Sequence, residues 1–172
     1  MKQILLASLV MAATMGLAHA GSPPANPAAA KVQIEQLVDA FKAAIIAKDG
    51  ATLSAMFLPG GAWISVYDDE TYRHIKTKRP EAPRLMPDDY KKFADFVSKS
   101  PKPIEEKFSD VRIETDGTVA TVYFDYRFLL DGKQTNQGSE TWQLVNTGDA
   151  WKINAMLYSI KLDPSVFQQA KP

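Results

Sequence analysis

No cysteine occurs anywhere in the 172-residue chain. That excludes a disulfide framework, thiolate zinc sites, a thiol nucleophile and an acylated-cysteine anchor. Histidine is nearly as scarce, with only His19 and His74. An excess of one charge is also missing, since 20 basic side chains stand against 20 acidic ones. Without a global positive field to gather nucleic acid or an anionic membrane surface, neither partner is expected.

A long apolar run is found at the N-terminus, where Lys2 precedes the stretch Ile4 to Leu17 and Ala18-His19-Ala20 forms a small-x-small motif before Gly21. This is the pattern of a secretory signal peptide, residues 1–20. A membrane span would need ~20 apolar residues and a stop-transfer flank, whereas Gly21-Ser22-Pro23-Pro24 follows at once. The expected product is periplasmic or secreted, with no membrane attachment after cleavage. Cleavage would remove Lys2 and His19, leaving 19 basic against 20 acidic residues and His74 as the single histidine. Multi-histidine metal sites, and any Ser-His pair not built on His74, are then excluded. Neither a metal nor another cofactor is expected.

The remaining ~150 residues suit one domain with a core that needs no staples. Residues 21–30, rich in Pro, Ala and Ser, read as a flexible lead. From Lys31 to Lys48, Ile34, Leu37, Val38, Phe41 and Ile45 recur at helical spacing before Asp49-Gly50. Leu53, Met56 and Phe57 predict a short second helix stopped by Pro59-Gly60-Gly61. Ala62 to Tyr67 alternates as a strand, with Trp63, Ser65 and Tyr67 on one face. A loop with Pro80, Pro83 and Pro87 leads to a third helix, Pro87 at its first position, Asp88-Asp89 in its first turn and Tyr90, Phe93, Ala94 and Val97 inward.

Four strands follow, roughly 104–114, 118–130, 135–146 and 151–162, joined at Asp116-Gly117, Asp131-Gly132 and Gly148-Asp149. Three helices followed by consecutive hairpins predict an α+β domain over residues 31–162, with an antiparallel sheet covered by helices on one face. Residues 163–172 read as a peripheral tail.

The motif Gly138-Ser139-Glu140-Thr141-Trp142-Gln143-Leu144, followed by Trp151-Lys152-Ile153, resembles the last two strands of the nuclear-transport-factor-2-like (NTF2-like, SnoaL-like) superfamily. With the helix pair ending at Lys48-Asp49-Gly50 and the segment from Phe57 to Tyr67, the resemblance covers about residues 31–162. It implies a cystatin-like α+β cone, three N-terminal helices packed in a strongly curved antiparallel sheet, with a partly apolar pocket inside and often a homodimer across the outer sheet face. It does not imply one activity, because that superfamily holds isomerases, dehydratases, cyclases, binding proteins and assembly domains. Laid beside its ketosteroid-isomerase members, the chain places Phe41 where a tyrosine belongs and Ser65 where an aspartate base belongs. Glu140 alone keeps the carboxyl function of the late-strand acid. Phenyl and serine side chains cannot supply those two roles, so steroid-isomerase chemistry by that constellation is disfavoured.

Glu140 is therefore the candidate catalytic residue, on the strand face of Trp142 and Leu144, where burial would raise its pKa; a structural carboxylate is the alternative. Trp63, Ser65, Tyr67 and Trp142 are candidate pocket walls or plain core. In the strand from Thr118 to Leu130, Ala120, Val122, Phe124, Tyr126 and Phe128 form the inner set, and Tyr126 has the one hydroxyl in it. Tyr123, Asp125 and Arg127 point outward. Tyr158 has no settled direction, because a bulge in the last strand would switch its face. Residues 72–86 carry Arg73, Lys76, Lys78, Arg79 and Arg84 against Glu81 alone, either a flap for an anionic ligand or a solvated loop, with His74 as an acid or base within it.

Three functional readings remain. The domain binds a small, partly apolar molecule in the cone; or it is an isomerase- or dehydratase-type enzyme using Glu140; or it is a dimeric assembly domain. A cone filled by Phe41, Trp63 and Trp142 would leave nothing to bind.

Overall fold

The computed structural model describes residues 26–168. The expected signal peptide and most of the expected lead lie outside the described residues. Helix α1, Pro27–Ala47, starts inside the segment expected to be a flexible lead, because the Asn26 side chain accepts from the Ala28 and Ala29 amides and Pro27 sits in the first turn. Its buried stripe is Ala30, Ile34, Val38, Phe41, Ala44 and Ile45, and left-handed Lys48 closes it. Helix α2, Gly50–Ala55, is capped by Asp49. A Cβ at Gly50 would meet the Ala94 carbonyl oxygen at 2.4 Å, so glycine allows the close approach of α2 to the fourth helix.

Strand β1, Phe57–Tyr67, begins earlier than the sequence predicts and runs through Pro59-Gly60-Gly61. The break anticipated there is a register irregularity between Phe57 and Ala62, with Gly60 at φ 79°. Helix α3, Asp69–Lys78, occupies much of the segment read as a loop. Asp68 caps it, accepting from the Thr71 amide at 2.9 Å, while Asp69 and Glu70 in the first turn and Lys76 and Lys78 in the last suit the helix dipole. It buries only Thr71 and Ile75, too little for an apolar stripe to announce it.

Strand β2, Leu85–Pro87, then pairs antiparallel with β1, so Pro87 closes an edge strand instead of opening a helix. Helix α4, Tyr90–Lys99, is capped by Asp89, which accepts from the Lys91 amide at 2.7 Å. Strands β3 (Ile104–Thr115), β4 (Val119–Leu130), β5 (Lys133–Asn146) and β6 (Trp151–Leu162) match the predicted hairpins. A short helix, α5, Pro164–Gln168, lies within the expected tail.

The six strands form one sheet in the order β2-β1-β6-β5-β4-β3. It is mixed rather than wholly antiparallel, since β1 runs parallel to β6. The β3–β6 meander brings its last strand beside β1, and that connection leaves the two strands pointing the same way. Register shifts interrupt β3 between Ser109 and Arg112, where Asp110 has φ 54°, and the β5–β6 pairing at Gln143/Leu144. Such bulges bend strands and increase their twist, and they curve the sheet around the helices. The core fills the concave side: Phe41 packs against Trp142 with ring centroids 4.8 Å apart, and Phe108 stacks on Phe124 at 4.0 Å.

Candidate functional site

Toward one end of the concave face the packing opens into a cavity of about 150 Å³. Strand alternation decides what lines it. On β4, Tyr126 and Phe128 continue the inner set that begins at Ala120. On β5, Glu140 and Asn136 share that face with Trp142. The β6 bulge gives Asn154 no partner between Ile153 and Ala155, so the inward set changes from Trp151 and Ile153 to Met156, Tyr158 and Ile160. On β3, Glu106 stands between Ile104 and Phe108 with the same inward parity. Phe41 from α1, Phe93 from α4 and Trp63 from β1 complete the wall.

Two carboxyl groups are thereby buried in an aromatic chamber, Glu140 at 4% exposure and Glu106 at 7%. Trp142 Nε1 donates to Glu140 Oε1 from behind the wall. No cation pairs with either carboxyl among the described residues. Burial pushes the Glu140 carboxyl up to about 8, the Trp142 hydrogen bond offsetting part of that rise. Burial also raises Glu106 well above the ordinary carboxylate value, and the nearby charge of Glu140 raises it further. At neutral pH Glu140 holds its proton and can donate it.

The two tyrosines are donors of a different kind. Tyr158 Oη accepts from Trp63 Nε1 at 3.3 Å and interacts with the Ser65 hydroxyl, and burial pushes it up to about 12. Tyr126 is pushed far above the usual tyrosine value, first by burial and then by Glu140 and Glu106. Its hydroxyl stands 2.9 Å from the Ser159 carbonyl oxygen and 3.0 Å from Asn136 Oδ1. It reaches Ser159 past Gly138, its direct neighbour on β5. A Cβ at Gly138 would stand 2.0 Å from that same carbonyl oxygen.

Of the residues singled out from sequence, Glu140, Trp63, Tyr126 and Tyr158 line the cavity. Trp142 is fully buried one layer behind, holding Glu140. Ser65 is also buried behind the wall, its hydroxyl 3.5 Å from the Met86 carbonyl oxygen. Tyr67 and His74 do not line the cavity: Tyr67 ends β1 with its carbonyl accepting from Arg84 Nε, and His74 rides on α3. The basic segment holds its charges locally, with Arg84 paired to Asp69 at 2.6 Å, packed over the Tyr72 ring, and Lys76 bonded to the Pro80 carbonyl. Glu106 was missed because Glu105-Glu106-Lys107 reads as a solvated charge cluster. The signal that finds it is the alternation of Ile104 and Phe108 on either side.

The solved structures share the fold at low identity. A candidate dehydratase of the NTF2-like family from Streptomyces avermitilis is 18% identical, with a TM-score of 0.57 over 80% of this chain and 100% of that one. An NTF2-like protein of unknown function from Pseudomonas putida is 14% identical, with a TM-score of 0.60 over 84% and 98%. A candidate scytalone dehydratase from Novosphingobium aromaticivorans is 12% identical, with a TM-score of 0.60 over 78% and 86%. No curated protein matches significantly. The family model of the SnoaL-like domain matches residues 34–163, and the chain belongs to that family, with the NTF2-like α+β fold.

Proposed function

We propose that the cone binds one small, partly apolar molecule, about the size of a single aromatic ring, and that the molecule meets the acidic pair in the wall. The observation that carries this reading is an aromatic-walled cavity of about 150 Å³ with two buried carboxyls on its surface. A cavity of this volume accommodates a benzene-sized guest. Phe41 and Trp142 leave that space open, which favours binding over a purely structural domain. Native mass spectrometry of the protein purified from its own host tests it: a retained small molecule is expected, lost on substituting Trp63→Ala together with Phe93→Ala. Retention of the same molecule by that variant would place binding elsewhere.

A second reading, an isomerase- or dehydratase-type enzyme, is favoured by Glu140 holding its proton up to about 8 beside the cavity. Glu140 would act as general acid and Tyr158 as a hydrogen-bond donor to the substrate. Glu140→Gln keeps the shape and removes the proton, so turnover should fall by about a hundredfold or more while binding survives in part.

Export belongs to the same proposal, supported by the N-terminal signal pattern. Intact mass of the mature protein should begin at Gly21, and a product retaining residues 1–20 would overturn it. A homodimer would use the outer sheet face, where Tyr123, Thr141 and exposed Leu157 form one cross-strand row. Sedimentation should then show two copies, and Leu157→Lys should separate them.

A further inference from the structure

The walls of the cavity carry polar groups of one kind only. Glu106, Glu140, Tyr126, Tyr158 and Asn136 are acidic or neutral, and among the described residues no lysine, arginine or histidine lines it. Lys42 Nζ, on α1 beside Phe108, is held by Asp39 at 2.8 Å and sits 6.0 Å from the centre of the Phe108 ring, which is itself not part of the wall. The rest of the lining is largely aromatic, and ring faces present negative charge to whatever they enclose. Two buried carboxyls without a counter-ion disfavour each other's charged form and oppose folding in that form. An anionic guest would add to this repulsion. A neutral guest would leave it unchanged.

A cationic guest reverses it. We infer that the cavity is built for a small organic cation, an alkyl- or arylammonium whose charge is met by Glu106 and Glu140 and whose hydrocarbon part lies against Trp63, Phe93 and Phe128. This rests on the small-molecule reading above and names the chemical class of the guest. It carries a proton balance: the cation enters, a carboxyl gives its proton to solvent, and the complex keeps an ammonium–carboxylate pair. The titratable groups facing the guest are Glu106 from β3, Tyr126 from β4, Glu140 from β5 and Tyr158 from β6. The helices α1 and α4 and strand β1 contribute Phe41, Phe93 and Trp63, and Asp88 acts on Tyr158 from outside the wall. Binding that releases a proton strengthens as pH rises toward the range in which the carboxyl ionises unaided.

Calorimetry with benzylammonium, benzyl alcohol and benzoate tests this, since the three share one ring and differ in charge. Benzylammonium should bind at least about tenfold more tightly than benzyl alcohol, with benzoate weakest. Between about pH 6 and about pH 8 its affinity should rise by up to about tenfold per unit, and heats in buffers of different ionisation enthalpy should show proton release. Glu106→Gln and Glu140→Gln should each weaken benzylammonium by about tenfold while sparing benzyl alcohol. If benzyl alcohol binds as tightly with no proton released, the cation inference fails and the small-molecule reading stands. If none of the three binds, both fail.

Discussion

Along β4, β5 and β6 the inward residues change character partway. At one end Val122, Phe124, Trp142, Leu144, Trp151 and Ile153 are buried in one apolar core with Ile34, Val38 and Phe41 of α1. A few residues further along the same strands, Tyr126, Glu140 and Tyr158 face a cavity instead, joined by Glu106 from β3. Rings are abundant at both ends. What differs is the carboxyl and hydroxyl groups set among them and the bulge near Asn154, which brings Tyr158 inward where unbroken alternation would point it out. The packed end draws its stability from burial. The open end gives up some of that stability to hold acids away from water, a cost expected where a site must act on something else.

The largest expected effect lies at the packed end. Trp151 is 6% exposed, and its indole N–H donates to Gln33 Oε1 at 3.1 Å. Trp151→Ala should lose ~3 to 5 kcal/mol in chemical denaturation through transfer and cavity terms together. A loss below ~1 kcal/mol would mean that the two ends are not energetically distinct.

The open end should show itself in pH dependence. A Glu140 carboxyl titrates near 4.5 when unperturbed and at about 8 in the fold. Between those values the folded chain holds a proton that the unfolded chain has released. Stability from this group is therefore fully present below about pH 4.5 and falls as pH rises to about 8, with a limiting slope of ~1.4 kcal/mol per pH unit for one proton. Glu106, raised in the same direction, steepens the fall. The exposed caps Asp49, Asp116 and Asp163 are held low by hydrogen bonds from Thr52, Val119 and Ser165, so they act with the opposite sign and at lower pH. Urea titrations across this range should show the decline in the parent chain, a shallower one in Glu140→Gln, and an unchanged slope in Trp151→Ala. A flat profile in the parent chain would refute the burial of both acids.

Much of this contrast was legible in the sequence where alternation is uninterrupted. The inner set from Ala120 to Phe128, the face shared by Glu140 and Trp142, and the turns at Gly117, Gly132 and Gly148 all follow from strand period and positive φ. Legibility fails wherever a local pattern is overruled by something distant. Glu106 looks solvated until its neighbours' parity is counted. Tyr158 depends on a bulge that no local residue announces, and β1 joins β6 in parallel through a pairing formed across most of the chain. Helix α3 is held by its cap and charges with little apolar surface, so a search for apolar periodicity passes over it.

A smaller effect should come from Gly138, where β5 approaches Ser159 too closely for a side chain. Gly138→Ala forces a methyl against backbone and should cost ~1 to 3 kcal/mol. Because that backbone also bears the carbonyl that Tyr126 engages, the variant should lose guest affinity as well as stability. A stable Gly138→Ala chain with unaltered binding would show that the strands spread without disturbing the cavity.

The last and smallest effect isolates the Tyr126 hydroxyl. The Ser139 amide donates to Ser159 Oγ at 3.0 Å, and the Ser159 carbonyl lies 2.9 Å from the Tyr126 hydroxyl, so side chains satisfy two backbone groups beside Gly138. Tyr126→Phe keeps the ring in the wall and removes only the O–H. The Ser159 carbonyl then loses its donor in a part-buried site, and the expected loss is ~0.5 to 1.5 kcal/mol, the usual net worth of one hydrogen bond. Removing the hydroxyl also takes away a group near both carboxyls without adding or subtracting charge at neutral pH, so the pH profile set by Glu106 and Glu140 should keep its sign. Denaturation of Tyr126→Phe at several pH values reads both quantities. A loss well above ~3 kcal/mol would mean that this hydroxyl holds the strands together, and the cavity end would then depend on its polar contacts as heavily as the other end depends on packing.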